Sequence, residues 1–310
     1  MIYYLLFLAP FLISFFSASG LNNISKKIDF FDFPEEDDLK IHKHPISCFG
    51  GLAMLFAVVV GLLTMIIFEK KYFIEICGVL IGSAVIFCLG FWDDLKWKHI
   101  SSIKPYRKFL FLIIFSFVAS LFLVLFKSIN FSGNLFLSTT IAFFYIFVFI
   151  NSTNYQDGID GLAGGLTLIS AVGFAVLAVA HNDIFTIFLS VILIGAILGF
   201  LIHNFPPAKI FMGDSGAYFL GFMLVILALQ PFKINSFSNI LGPVFIVGFP
   251  IFEGIFTNIR RILSKNSIFH GDRMHLYDRL LNKNFSVRKT LFIIYFAQII
   301  LVASGVIISL

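Results

Sequence analysis

Long apolar runs of similar length, separated by short polar stretches, dominate the chain from end to end. A bilayer core is crossed by about 20 apolar residues in helical form. By that measure the runs predict spans near 2–20, 51–68, 73–92, 109–126, 135–151, 162–180, 184–202, 216–230, 239–259 and 290–309. The ninth run holds Gly242, Pro243, Gly248, Pro250 and Glu253. Proline removes a backbone donor and clashes with the preceding turn, so this helix is expected to be kinked or broken. The expected fold is all-α: one polytopic membrane domain over residues 1–310 with about ten transmembrane helices.

Composition agrees with the pattern. Hydrophobic residues make up 59% of the 310 positions and charged residues 13%, with a mean hydropathy of +0.98. Those values exclude an ordinary water-soluble domain. The first run ends in "SASG", as a cleavable leader does, but its first cations, Lys26 and Lys27, follow the apolar stretch. That is the reverse of a leader's charge order, so the run is read as a first membrane helix. Cys48, Cys77 and Cys88 have no metal-ligand spacing and are read as small apolar filler.

Charge then assigns the sides. Loops after odd-numbered spans carry eighteen Lys and Arg residues and the others carry four. The positive-inside rule places the odd loops in the cytoplasm and both termini outside. The net charge of +5 therefore reflects topology and anionic lipids rather than nucleic acid. Of the seventeen carboxylates, six fall in the run "DFFDFPEEDDL", read as a solvated segment, and eight sit at inner mouths of helices.

Those eight carry the candidate chemistry. In "LGFWDDLKWKH" (89–99) a span runs directly into Asp93 and Asp94, about 100° apart on a helix and so suited to different roles. In "NSTNYQDGIDGLAGG" (151–165), Asp157 and Asp160 are three apart among glycines that permit close approach. In "HNFPPAKIFMGDSG" (203–216), Asp214 stands beside Ser and Gly at the start of a span, a setting that suits Mg²⁺ and phosphate oxygens. Glu253 lies inside a span, where an ionisable group marks function by default, and a loop with His270 and His275 follows. Each stretch alone also fits a helix cap, an interfacial belt or an ordinary surface loop. Together, on one face, with Lys, Arg and His but no cysteine ligands, they suggest a hard divalent cation and a phosphorylated substrate.

With "KIHKHPISCFGG" (40–51) added, these stretches, in this order, resemble the polyprenyl-phosphate N-acetylhexosamine-1-phosphate transferases, glycosyltransferase family 4, relatives of phospho-N-acetylmuramoyl-pentapeptide transferase. The resemblance covers essentially the whole chain. It implies transfer of a sugar-1-phosphate from a UDP-N-acetylhexosamine to undecaprenyl phosphate, with release of UMP, at the cytoplasmic face of a bacterial plasma membrane. By position it implies that Asp214 binds Mg²⁺, with Mn²⁺ as a substitute. Asp93 deprotonates or positions the lipid phosphate with Asp94 in support, and Asn154, Asp157 and Asp160 line the nucleotide-sugar site. Phe211 stacks on uracil near Asn204 and Lys43, and the last inner loop, with His275, recognises the sugar. Lys104, Arg107, Lys108, Arg260 and Arg261 are candidates to hold the lipid phosphate. Membrane lipids are expected partners, a homodimer is compatible, and nucleic acid is not expected.

Two positions depart from the family pattern: Glu253 replaces a common Asp, and "HLYDR" replaces His-x-His-His. The donor expected from that departure is a plain N-acetylated hexosamine such as GlcNAc rather than a muramoyl-pentapeptide. The competing reading is a transporter or channel with an ion site on the cytoplasmic side, which predicts polar residues near the bilayer midplane.

Overall fold

The computed structural model describes residues 2–28, 30–33, 44–99, 105–129, 134–229, 238–265 and 273–310. Ten long helices correspond one for one to the expected spans: α1 (Ile2–Ile28), α2 (Gly50–Phe68), α3 (Phe73–His99), α4 (Pro105–Leu125), α5 (Leu135–Asn154), α6 (Leu162–Ala180), α7 (Ile184–Asn204), α8 (Gly213–Leu229), α9 (Ser238–Leu263) and, last, α11 (Val287–Ser309). A short α10 (Leu276–Asn282) precedes the last. The protein is an all-α polytopic membrane protein: among the described residues nine helices are long and apolar enough to cross a bilayer, and α8 is a shorter apolar helix.

Capping fixes several of the starts. Asn134 accepts the Leu137 N–H at 3.1 Å, Asp183 accepts the Thr186 N–H at 3.3 Å, and Ser286 accepts the Lys289 N–H at 3.3 Å. α1 continues through Lys26 and Lys27 to Ile28, a full two turns past the apolar run. In the acidic first loop, read as solvated, Phe31–Asp32 form an antiparallel ribbon with Ile46–Ser47, and Asp29, Glu35, Glu36, Asp37 and Asp38 lie outside the described residues. Cys88 is exposed on α3 rather than filling a gap, and all three cysteines are free.

α8 is the hub. From Ser215 to Leu229 every residue is buried, and α2, α3, α5 and α6 surround it. A helix of 17 residues is short for a bilayer, but its neighbours, not lipid, provide its surroundings. Close approach makes this possible: a Cβ on Gly90 of α3 would lie 2.5 Å from the Ser215 Cα. Glycine there lets α3 press against the first turn of α8, and so brings Asp93 and Asp94 to Asp214.

The expected break in α9 occurs at Gly248, whose φ of 4° and ψ of −80° are non-helical, two residues before Pro250. Backbone groups freed inside a membrane must find partners within the protein. Gln298 of α11 supplies them: its Oε1 accepts the Phe249 N–H at 2.8 Å, and its Nε2 donates to Ile246 O at 2.8 Å and to Ser170 Oγ at 2.9 Å. Ser170 itself donates to Ile246 O at 2.9 Å.

Candidate active site

The helix ends carrying the acidic motifs meet at one place. Asp93 lies within α3, less than two turns before its end at His99, and is buried, whereas Lys108 sits in the first turn of α4. The Lys108 ammonium forms an ion pair with Asp93 and a second, at 3.1 Å, with Asp214 Oδ2. The other oxygen of Asp214 accepts a hydrogen bond from Asn154 Nδ2, at the end of α5, at 2.7 Å. Three motifs distant in sequence thus converge on one carboxylate.

Asp94 faces elsewhere. Its Oδ1 accepts the Asp214 N–H at 2.7 Å and its Oδ2 the Ser215 N–H at 3.0 Å. It caps α8 from another helix, satisfying amides that a helix start leaves without partners. Sequence placed Asp94 behind Asp93; the structure puts it under Asp214. The turn before α8 requires Gly213, at φ 69°.

Asp157 and Asp160 occupy the loop between α5 and α6, whose first helical residue follows Gly161 in a left-handed conformation. Neither aspartate caps α6. Asp160 Oδ2 accepts the Ala208 N–H at 2.8 Å, tying this loop to the one before α8. Asn204 performs a similar task, accepting the Gly161 N–H at 3.0 Å and donating to Ile210 O at 2.9 Å. Asp157, half-buried, makes no such tie. Burial pushes its carboxyl well above the usual range, and the nearby carboxylates of Asp214, Asp94, Asp160 and Asp32 push in the same direction. Among the described residues the carboxylates of Asp93, Asp94, Asp157 and Asp214 outnumber the Lys108 ammonium that pairs with two of them.

The segment carrying Phe211 is held like an added strand. The Phe211 N–H donates to Ser47 O at 2.7 Å, and Phe211 O accepts from the Gly50 N–H at 2.9 Å. Ser25 and Ser47 share a 2.5 Å hydrogen bond that ties α1 to the same ribbon. Beside Asp160 a cavity of about 420 Å³ opens, its cationic lining supplied by Lys26 and Lys209, with His44 beside them. Lys43 and Lys104 lie outside the described residues, as does His270.

On the opposite side stands a buried wall from α9 and α10. His275 lies just before α10, stacked on Tyr277 with ring centroids 5.4 Å apart and 8° between planes, and tilted against Tyr155 at 5.6 Å. Arg261 is buried with its guanidinium 5.7 Å from the centre of the Tyr155 ring. Tyr277 reaches the Asp157 loop: a Cβ on Gly158 would collide with its hydroxyl. Sequence reading missed Tyr155, Tyr277 as a wall residue, and Lys26. The first stands inside a motif that had been singled out, and only its aromatic character pointed to a stacking role.

With this geometry in place, relatives can be compared. Residues 76–231 match the sequence profile of glycosyl transferase family 4. The chain is 33% identical over 296 residues to a probable undecaprenyl-phosphate N-acetylglucosaminyl 1-phosphate transferase of Bacillus subtilis, covering 93% of this chain and 80% of that one. It is 30% identical over 313 residues to a decaprenyl-phosphate N-acetylglucosaminephosphotransferase of Mycobacterium leprae, covering 92% and 78%. A phospho-N-acetylmuramoyl-pentapeptide-transferase of Streptococcus thermophilus is 30% identical over 230 residues, covering 68% and 66%.

Proposed function

Since the chain belongs to glycosyl transferase family 4 and is a multi-pass membrane transferase, we propose that it transfers N-acetylglucosamine-1-phosphate, or a related amino-sugar phosphate, from a UDP-sugar to undecaprenyl phosphate. The observation that carries this reading is Lys108 held between Asp93 and Asp214, with Asn154 on the same Asp214 carboxylate. The charge bias of the loops supports a cytoplasmic site in a bacterial plasma membrane. Ser170 and Gln298, polar groups within α6 and α11, are engaged at the α9 break, and the carboxylates paired with Lys108 lie at or near helix ends, which favours the transfer reading over a transporter with a midplane ion site.

In the proposed reaction an oxygen of the lipid phosphate attacks the β-phosphorus of the UDP-sugar. The new P–O bond forms as the bond to the bridging oxygen breaks, and UMP leaves with that oxygen. Asp93 takes or holds the proton of the attacking phosphate, while Lys108 draws that anion toward Asp214. Such transfers depend on charge neutralisation and alignment more than on covalent help from the protein. The cavity beside Asp160 suits an anionic nucleotide, with Lys26 and Lys209 as counter-charges; Phe31 is the aromatic residue in its lining, and Phe211 does not line it. His275 and Tyr277 face the sugar.

The donor set fits Mg²⁺. Hard carboxylates crowd around one ammonium, and an added divalent cation would relieve the excess negative charge that bears on Asp157. Among the described residues no three His, Cys, Asp or Glu side chains form a closed cage. Mg²⁺ typically needs only one or two carboxylates, the rest of its shell being water and substrate phosphate. Asp214 would hold it, with Asp157 alongside; when bound it neutralises diphosphate oxygens as bonds exchange.

The test is UMP release by purified protein given undecaprenyl phosphate and a panel of UDP-sugars, with and without Mg²⁺. Release with UDP-GlcNAc or a close amino sugar is expected; no release with any UDP-sugar would refute the assignment.

A further inference from the structure

Tyr295 lies within α11, in the apolar stretch "LFIIYFAQII", and takes no part in the transfer just described. A hydroxyl inside a membrane helix needs a partner within the protein. Its partner is Gly161 O, 2.6 Å away, where the loop carrying Asp157 and Asp160 turns into α6. The close approach depends on the second glycine of "LAGG": a Cβ on Gly165 would collide with the Tyr295 ring and hydroxyl.

Gly161 is pinned on both sides. Its N–H donates to Asn204 Oδ1 at 3.0 Å, and its carbonyl accepts the Tyr295 hydroxyl and the Gly165 N–H, the latter at 2.9 Å. A carbonyl oxygen has two lone pairs, so this one is fully occupied. A glycine at φ 80° otherwise has wide conformational freedom, and turning its peptide would swing the residue before it, Asp160. Asp160 lines the cavity, where its Oδ2 accepts the N–H of another lining residue, Ala208, at 2.8 Å. That second loop also reaches α11: Arg288, exposed at the start of the helix, donates from Nη2 to Pro206 O at 3.1 Å, next to the lining residues Pro207 and Ala208. α11 thus holds both loops, while Asp157 has a separate support in Gly158 lying against Tyr277.

We infer that Tyr295 is a positioning residue for the nucleotide: from α11 it fixes the Gly161 peptide, and with it the place of Asp160 in the cavity wall. The inference rests on the proposed UDP-sugar reaction. It adds a residue outside the cavity lining that governs how tightly the nucleotide half of the donor is held. Because the effect passes through Asp160, it falls on nucleotide binding rather than on phosphoryl transfer at Lys108, Asp93 and Asp214.

Tyr295→Phe removes one oxygen and keeps the ring, and UMP is a probe that has the nucleotide but lacks the sugar. Steady-state kinetics on the full-length protein, varying UDP-GlcNAc and undecaprenyl phosphate in turn, are paired with UMP binding by calorimetry. Tyr295→Phe should raise the donor KM and the UMP dissociation constant in parallel, each about fivefold, with kcat within about twofold and acceptor KM unchanged. In an Asp160→Ala background it should add less than about twofold to either constant, because a residue acting through another has nothing left to act on. An unchanged donor KM, a raised donor KM with unaltered UMP affinity, multiplicative losses in the double variant, or a fall in kcat alone would overturn the inference while the wild type turns over normally. No turnover by the wild type with any UDP-sugar would overturn the underlying reaction and this inference with it.

Discussion

Asp94 and Asp214 are joined by a 2.7 Å hydrogen bond from the backbone N–H of one to the side chain of the other, across 120 residues of sequence. Asp94 therefore acts on where Asp214 sits, and the two should differ when substituted. Asp94→Ala removes a cap and should cost about 0.5–2 kcal/mol of stability together with activity. Asp214→Asn should leave thermal stability near wild type while lowering turnover at least about 10²-fold, as loss of a transition-state contact does. Thermal midpoints and UMP release measured on both variants check the distinction.

Lys108 is the ammonium between Asp93 and Asp214. Lys108→Gln leaves two carboxylates facing each other and removes the charge that draws in the lipid phosphate. Turnover should drop by about 10²-fold or more, with a raised KM for undecaprenyl phosphate. Kinetics against the acceptor report this; an unaltered acceptor KM would remove Lys108 from that role.

Asp157 gives a pH signature. Its carboxyl is raised, so the folded protein binds more protons than the unfolded chain between the two pKa values. Its contribution to stability is fully present below the ordinary value of about 4 and is lost as pH rises through the raised one. Asp157→Asn cannot ionise. Without divalent cation, its thermal midpoint should match wild type near pH 4 and exceed it at pH 8, and Mg²⁺ should narrow the gap. Two parallel pH profiles would contradict this.

Gln298 completes the broken α9, with Oε1 on the Phe249 N–H and Nε2 on Ile246 O. Gln298→Leu leaves the Phe249 N–H without its partner in an apolar interior, while Ile246 O keeps Ser170, and should cost about 1–3 kcal/mol. Denaturation in detergent would show it; a neutral result would mean that the break is satisfied without the amide.

The span pattern was legible because the bilayer imposes one length on every run, and the break in α9 because Gly248 and Pro250 lie inside such a run. The acidic motifs stood out because carboxylates are rare in so apolar a chain. What each carboxylate faces was not legible. Asp94 reaches backbone amides of α8, and backbone amides carry no sequence signal. Lys108 read as a contact for the lipid phosphate, but its pairing with Asp93 and Asp214 was not legible, since local sequence does not fix the rotation of α4 that turns it inward. Gln298 did leave a signal, a lone amide within an apolar helix, which a membrane permits only where it has a partner.

The most direct measurement uses UDP-GlcNAc labelled in the β-phosphate and undecaprenyl phosphate in proteoliposomes, with Mg²⁺, for wild type and Asp214→Asn. The expected result is label moving into the organic phase as a lipid diphosphate sugar with wild type, and at least about 10²-fold more slowly with the variant. Label that stays in water with wild type, or that moves equally well with Asp214→Asn, would contradict the central claim that Lys108, Asp93, Asn154 and Asp214 form one sugar-phosphate transfer site.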